Sequence, residues 1–136
     1  MNPKEFTDYV VPKLRAALPK SRLYQVENHA DAAYLEIPSR RGKLHLLVST
    51  LGGELTIGFS AGPGKFSWHS HLDGNEPLDE KILTAAETIN EILQDRKGVI
   101  CSSVLGPFPG DQEDLERVAK YRQETETIEL KYWSSF

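Results

Sequence analysis

Apolar residues recur every fourth position near the start of the chain, at Phe6, Val10, Leu14 and Leu18, which draws one buried stripe along a helix. Asn2, Pro3 and Glu5 supply the start of that helix: a capping side chain, Pro at the first helical position, and a carboxylate three residues after the cap. Pro12 lacks the N–H that would bond the carbonyl of Asp8, so a kink or break is expected there, and Pro19 ends the element. The period then shortens to two. Strand patterns follow at 22–27, 32–37, 43–51, 54–60 and 66–72. Leu51-Gly52-Gly53-Glu54 reads as a two-residue hairpin loop, because both central glycines accept positive φ. Leu55, Ile57 and Phe59 alternate with polar or small residues, which gives the second arm of that hairpin one buried face. After a turn at Gly62-Pro63-Gly64, Phe66, Trp68 and Leu72 point one way, while Ser67, His69, His71 and Asp73 point the other.

The spacing changes again over 78–96, where Ile82, Ala86, Ile89 and Leu93 mark a buried helical stripe that Ile92 widens. Acidic residues crowd the first turns, Arg96 and Lys97 close the helix, and Gly98 supplies its stop. Val99 to Leu105 reads as a strand, Gly106 to Gly110 as a Pro-rich loop, 111–122 as a weak helix, and 128–132 as a last strand. The expected architecture is α+β: an antiparallel sheet of about five to seven strands, with two or three helices packed mainly on one face. No repeat or linker interrupts 1–136, so one domain is expected.

Composition narrows the class more than the function. With 136 residues, 39% hydrophobic and 26% charged, the chain can bury a core, and neither disorder nor a membrane class fits. The opening MNPKEFTDYV lacks the apolar region of a signal peptide, and the single Cys101 cannot form an internal disulfide. A reducing cytoplasm is the expected location. The net charge of −4 disfavours nucleic acid as a partner, and no stretch is long and apolar enough for a membrane span. Charge is unevenly spread. Residues 1–43 hold eight basic and five acidic side chains, whereas 73–95 hold one and seven, and 110–129 hold three and seven. Acidic helix faces of this kind are ordinary solvated surfaces, and they can also steer a basic protein partner.

Candidate chemistry concentrates in Trp68-His69-Ser70-His71-Leu72-Asp73. Alternate strand positions share a face, so both imidazoles and the Asp73 carboxylate could converge on one metal such as zinc. A third ligand could equally be His45 or Glu54. The string resembles the HxHxDH signature of metallo-β-lactamase-fold hydrolases, but Gly74 stands where the last His falls and no His follows position 71. The ligands of a second metal are therefore missing. Ala61-Gly62-Pro63-Gly64-Lys65-Phe66 departs from a phosphate loop, with Phe66 at the hydroxyl position and Pro63 removing an N–H, so a turn is expected. Cys101 reads as a small core residue, and Arg40-Arg41-Gly42-Lys43 as a charged turn.

Glu54-Leu55-Thr56-Ile57-Gly58-Phe59 followed by Trp68-His69-Ser70-His71-Leu72-Asp73 resembles small bacterial polymorphic-toxin immunity proteins. Those proteins show an acidic-x-Thr-hydrophobic-Gly-Phe strand, then Trp/Tyr-His-x-His-aromatic-Asp, then a helix and a strand. The closing Tyr132-Trp133-Ser134-Ser135-Phe136 is similar to their aromatic-Trp-Ser-Gly ending, with Ser135 in place of Gly, and Leu72 replaces the usual aromatic. The resemblance implies a non-enzymatic protein that neutralises a cognate toxin by contact. The acidic balance suits a basic toxin domain, with Trp68, His69, His71, Asp73, Glu76, Asp79 and Glu80 as the expected contact residues. The alternative expectation is a small metal-binding protein or metal-dependent hydrolase centred on His69 and His71.

Overall fold

The structure is a computed structural model, and it describes residues 1–18, 24–29, 31–60 and 68–136, with 24–29 described by their backbone alone. Helix α1 spans Pro3–Ala17. Its start is built as the sequence predicts: the Asn2 side chain accepts from the Glu5 N–H at 2.8 Å, and the Glu5 carboxylate accepts from Asn2 Nδ2 at 2.7 Å. The expected break at Pro12 does not occur, and the helix runs on through that residue. Burial of Phe6, Val10 and Leu14 on one face holds the two halves to the same core. The helix ends at Leu18, whose ψ of 159° is the extended conformation that a following proline demands.

Five strands follow as a meander in the order β1-β2-β3-β4-β5: Tyr24–His29, Ala32–Pro38, His45–Ser49, Thr56–Ser60 and Trp68–His71, all antiparallel to their neighbours. The β3–β4 register is the one a loop centred on Gly52–Gly53 would set, and both glycines take positive φ, 70° and 73°. The tight two-residue loop is nevertheless not formed, because the ladder stops at Ser49 and Thr56 and a 3₁₀ turn occupies Leu51–Gly53. Thr50 explains the difference. Its N–H donates to the Ala33 carbonyl at 3.1 Å and its hydroxyl accepts from the Ala33 N–H at 2.9 Å, so the chain turns toward β2. The charged turn at 40–43 forms as expected, with Ser39 N–H donating to the Leu44 carbonyl at 2.8 Å. The glycine-proline turn of 62–64 lies outside the described residues, as do Phe66, Ser67 and Pro19.

One face of this sheet carries Leu35, Ile37, Leu46, Val48, Ile57 and Phe59, all nearly inaccessible, and α1 with α2 (Leu78–Leu93) covers it. Tyr9 Oη donates to Asp79 at 2.6 Å, and Asn90 reaches the Ala17 carbonyl at 3.3 Å, tying the two helices together. The buried residues of α2 are Ile82, Ala85, Ala86, Ile89 and Ile92. Leu93, expected in the stripe, is only half-buried and packs at its margin. Gly98 is not the helix stop. The helix stops five residues earlier, Asp95 takes the left-handed conformation at φ 59°, and Arg96 and Lys97 lie beyond the last turn.

The remaining strands form a second sheet rather than extending the first. Its order is β7-β6-β8, from Gly106–Gly110, Gly98–Ser102 and Ile128–Lys131. Gly98 opens β6 because a Cβ there would meet Leu130 Cδ1 at 2.5 Å and the Gly110 carbonyl at 3.0 Å. The Pro-rich segment expected as a loop is strand β7. Pro107 and Pro109 have the same parity on an edge strand, so both missing N–H groups fall on the side away from β6. Helix α3, Gln112–Ala119, is capped by Asp111 with Asp114 in a capping box, and packs beside β7 and β8. Val99 and the terminal Trp133 join the buried cluster of the first sheet and its helices. The architecture is α+β, as the pattern predicts. Among the described residues, no helix is long and apolar enough to cross a membrane.

Candidate functional site

Over β2 to β5, the second face of the sheet carries Tyr34, Glu36, Ser49, Thr56, Ser60, His69 and His71 around the buried Leu47. β4 is buried on both sides, so Thr56 and Ser60 are as inaccessible as Ile57 and Phe59, contrary to the single buried face expected from its alternation. The cross-strand register sets Tyr34 opposite Ser49, Ser49 opposite Thr56, and Thr56 opposite His71, in one row across four strands. A cavity of about 390 Å³ opens over this row, lined by Tyr34, Ser49, Leu51, Glu54, Thr56, His69 and His71.

His71 contacts two side chains of the cavity lining through one ring nitrogen. Its Nδ1 lies 2.8 Å from Thr56 Oγ1 and 3.4 Å from Glu54 Oε2. The His69 ring stands edge-on to the His71 ring, with centroids 5.0 Å apart at 72°. Two residues apart on one strand, the imidazoles share a face as the alternation predicts. Thr56 and Glu54 approach the same ring nitrogen of His71. They therefore do not form a relay across the ring of the kind that activates a hydroxyl nucleophile.

A second cavity of about 130 Å³ adjoins the first at His71 and is lined by Leu72, Asp73, Gly74, Glu76, Lys81 and Thr84. The Glu76 carboxylate folds back over Gly74, where a Cβ would strike it. His71 thus sits between Glu54 on one side and the Asp73–Glu76 loop on the other.

The other sequence candidates are dispersed. Trp68 lies on the opposite face of β5, half-buried against Phe59 with ring centroids 5.9 Å apart. Asp73 falls after the strand ends at His71 and lines the second cavity, not the first. Asp79 is held by Tyr9 Oη and by Lys13 at 4.0 Å, so it serves the α1–α2 contact. Glu80 is exposed in the first turn of α2. Of the alternative third ligands, His45 pairs with Ser60 four residues along β4 from Thr56, roughly 13 Å away at strand rise. Its Nδ1 lies against the largely buried Glu36 carboxylate. Glu54 alone of these reaches His71. Among the described residues, no group of three His, Cys, Asp or Glu side chains is arranged to hold a metal ion. Cys101, expected as a small core residue, is only partly buried and packs at the margin of the core; burial pushes its thiol up.

Comparison of the chain with family models, curated proteins and solved structures finds no match. Two members of the row, Tyr34 and Ser49, belong to no short motif of the sequence, because they come from β2 and β3. Counting the register outward from Gly52–Gly53 is the one signal that finds Ser49, opposite Thr56.

Proposed function

We propose that this chain is a non-enzymatic binding protein of the immunity type, which neutralises a cognate toxin domain by contact at the His69–His71 face. The observation that carries this reading is the continuity of the two cavities at His71. Together they make one open surface whose described lining holds three carboxylates, Glu54, Asp73 and Glu76, and one cation, Lys81. Such a surface is complementary to a basic protein, and complementary charge speeds encounter and fixes orientation. A nuclease toxin is a natural partner because its own site must attract phosphates. Leu51, 57% exposed at the rim, adds an apolar contact of the sort found at interface centres. The reading also accommodates the resemblance of the Glu54–Phe59 and Trp68–Asp73 segments to immunity proteins. A cytoplasmic location belongs to the same proposal.

The test is co-purification with the variable C-terminal domain of a large secreted protein encoded beside this gene. A complex stable at micromolar concentration, with loss of the toxin domain's activity, is the expected result. No complex at that concentration overturns the reading.

A further inference from the structure

We propose that the 390 Å³ cavity is an arginine-anchor pocket, which receives a guanidinium from the partner between the Glu54 carboxylate and the rings of Tyr34 and His69. This rests on the binding-protein reading above and names the chemistry of its central contact. The lining supports one ligand class. Among the described residues, Glu54 supplies the pocket's single carboxylate, and no Lys or Arg lines it. Ser49 and Thr56 add hydroxyl oxygens, while Tyr34, His69, His71 and Leu51 add flat or apolar walls. A planar, weakly hydrated cation uses all three kinds of surface at once, through paired N–H donation to a carboxylate and stacking of its plane on rings. A lysine ammonium would use the carboxylate but not the walls. An anion would meet Glu54 and is disfavoured. The Glu54 main chain is fixed where it caps the Leu51–Gly53 turn, through an N–H bond to the Leu51 carbonyl at 3.3 Å, and its carboxylate lies 3.4 Å from His71 Nδ1. Its carboxylate remains 56% exposed beside His71. The floor is rigid, since Ser49 and Thr56 are buried members of the central β3–β4 ladder.

The experiment titrates N-acetyl-arginine amide into the whole chain and follows the imidazole C–H resonances of His69 and His71 by NMR. The neutral isostere N-acetyl-citrulline amide serves as control. Saturable shifts are expected for the arginine derivative, with Kd on the order of millimolar for so small a ligand. Glu54→Gln should weaken it roughly tenfold, as loss of one charged hydrogen bond does. Leu51→Lys, which sets a like charge at an exposed rim position, should weaken it at least as much. No saturable shift, or equal binding of the citrulline derivative, overturns the proposal. A toxin-domain complex whose affinity is unchanged by Glu54→Gln also overturns the anchor, and it leaves the binding-protein reading standing. Arginine binding without any toxin-domain complex supports the pocket and overturns that reading.

Discussion

Thr56 and His71 face each other in register across β4 and β5, and the Thr56 hydroxyl lies 2.8 Å from His71 Nδ1. The pair joins the buried centre of the sheet to the face that bears the cavity. Thr56 is almost inaccessible, whereas the His71 side chain is 46% exposed. Thr56→Val keeps the shape of the side chain and removes the hydroxyl. It should cost about 0.5–1.5 kcal/mol, the ordinary worth of one such hydrogen bond, because His71 can turn to water. Urea denaturation reads this directly, and a loss above about 3 kcal/mol, beyond what one such bond is worth, would mean that the pair holds the sheet together.

Helix α2 offers a test of which residue faces the core. Ile92 is 1% exposed and Leu93 half-buried, so Ile92→Ala should cost about 2–5 kcal/mol and Leu93→Ala distinctly less. The reverse order of midpoints in denaturant would contradict the helix's rotation.

Glu126 links stability to acid. The Ser102 hydroxyl, and then the Gln123 N–H at 3.0 Å, hold its carboxyl below the usual carboxylate range. Its folded pKa lies below its unfolded one, so the unfolded chain binds the extra proton. The stabilisation is fully present above the ordinary glutamate value of about 4.3 and is lost as pH falls through the folded value. Glu126→Gln should flatten the acid limb of stability against pH. An unchanged limb would show that the carboxylate is not coupled to folding. Ser102 also accepts from the N–H groups of Val104 and Leu105, so Ser102→Ala should loosen the β6–β7 turn, at a cost of about 1–3 kcal/mol.

Metal binding at the histidine pair has a simple check. His71 is already paired with Thr56, and Asp73 lies beyond the strand, so chelator treatment of protein purified without a histidine tag should leave the melting temperature unchanged. A stoichiometric zinc content with a fall in melting temperature would reverse that expectation, since a structural metal contributes to folding outright.

Much of this arrangement is legible in the sequence, for identifiable reasons. Local periodicity reports burial, so the stripes of α1 and α2 and the alternation of β5 are readable directly. His69 and His71 share a face for the same reason. What periodicity does not report is what lies across the chain. Leu93 and Ile92 both fit a helical stripe, and only the helix's seating on the sheet distinguishes them. Pro107 and Pro109 suggest a loop until β7 is known to be an edge. Asp73 has the parity of a third ligand, but the strand ends two residues before it. Glu54 reaches His71 because, two residues before Thr56, it shares that residue's parity, and the Leu72 N–H bond to the Leu55 carbonyl at 2.9 Å continues the β4–β5 pairing to that point.

Whether a protein partner docks on the His69–His71 face is read out by NMR shift mapping of the chain with its cognate toxin domain. Perturbed amide and imidazole resonances are expected to cluster at Ser49–Thr56 and His69–Glu76, and Leu51→Lys to disperse them. Perturbations confined to α3 and the β6–β8 sheet, with His69 and His71 unmoved in a saturated complex, would contradict docking at this face.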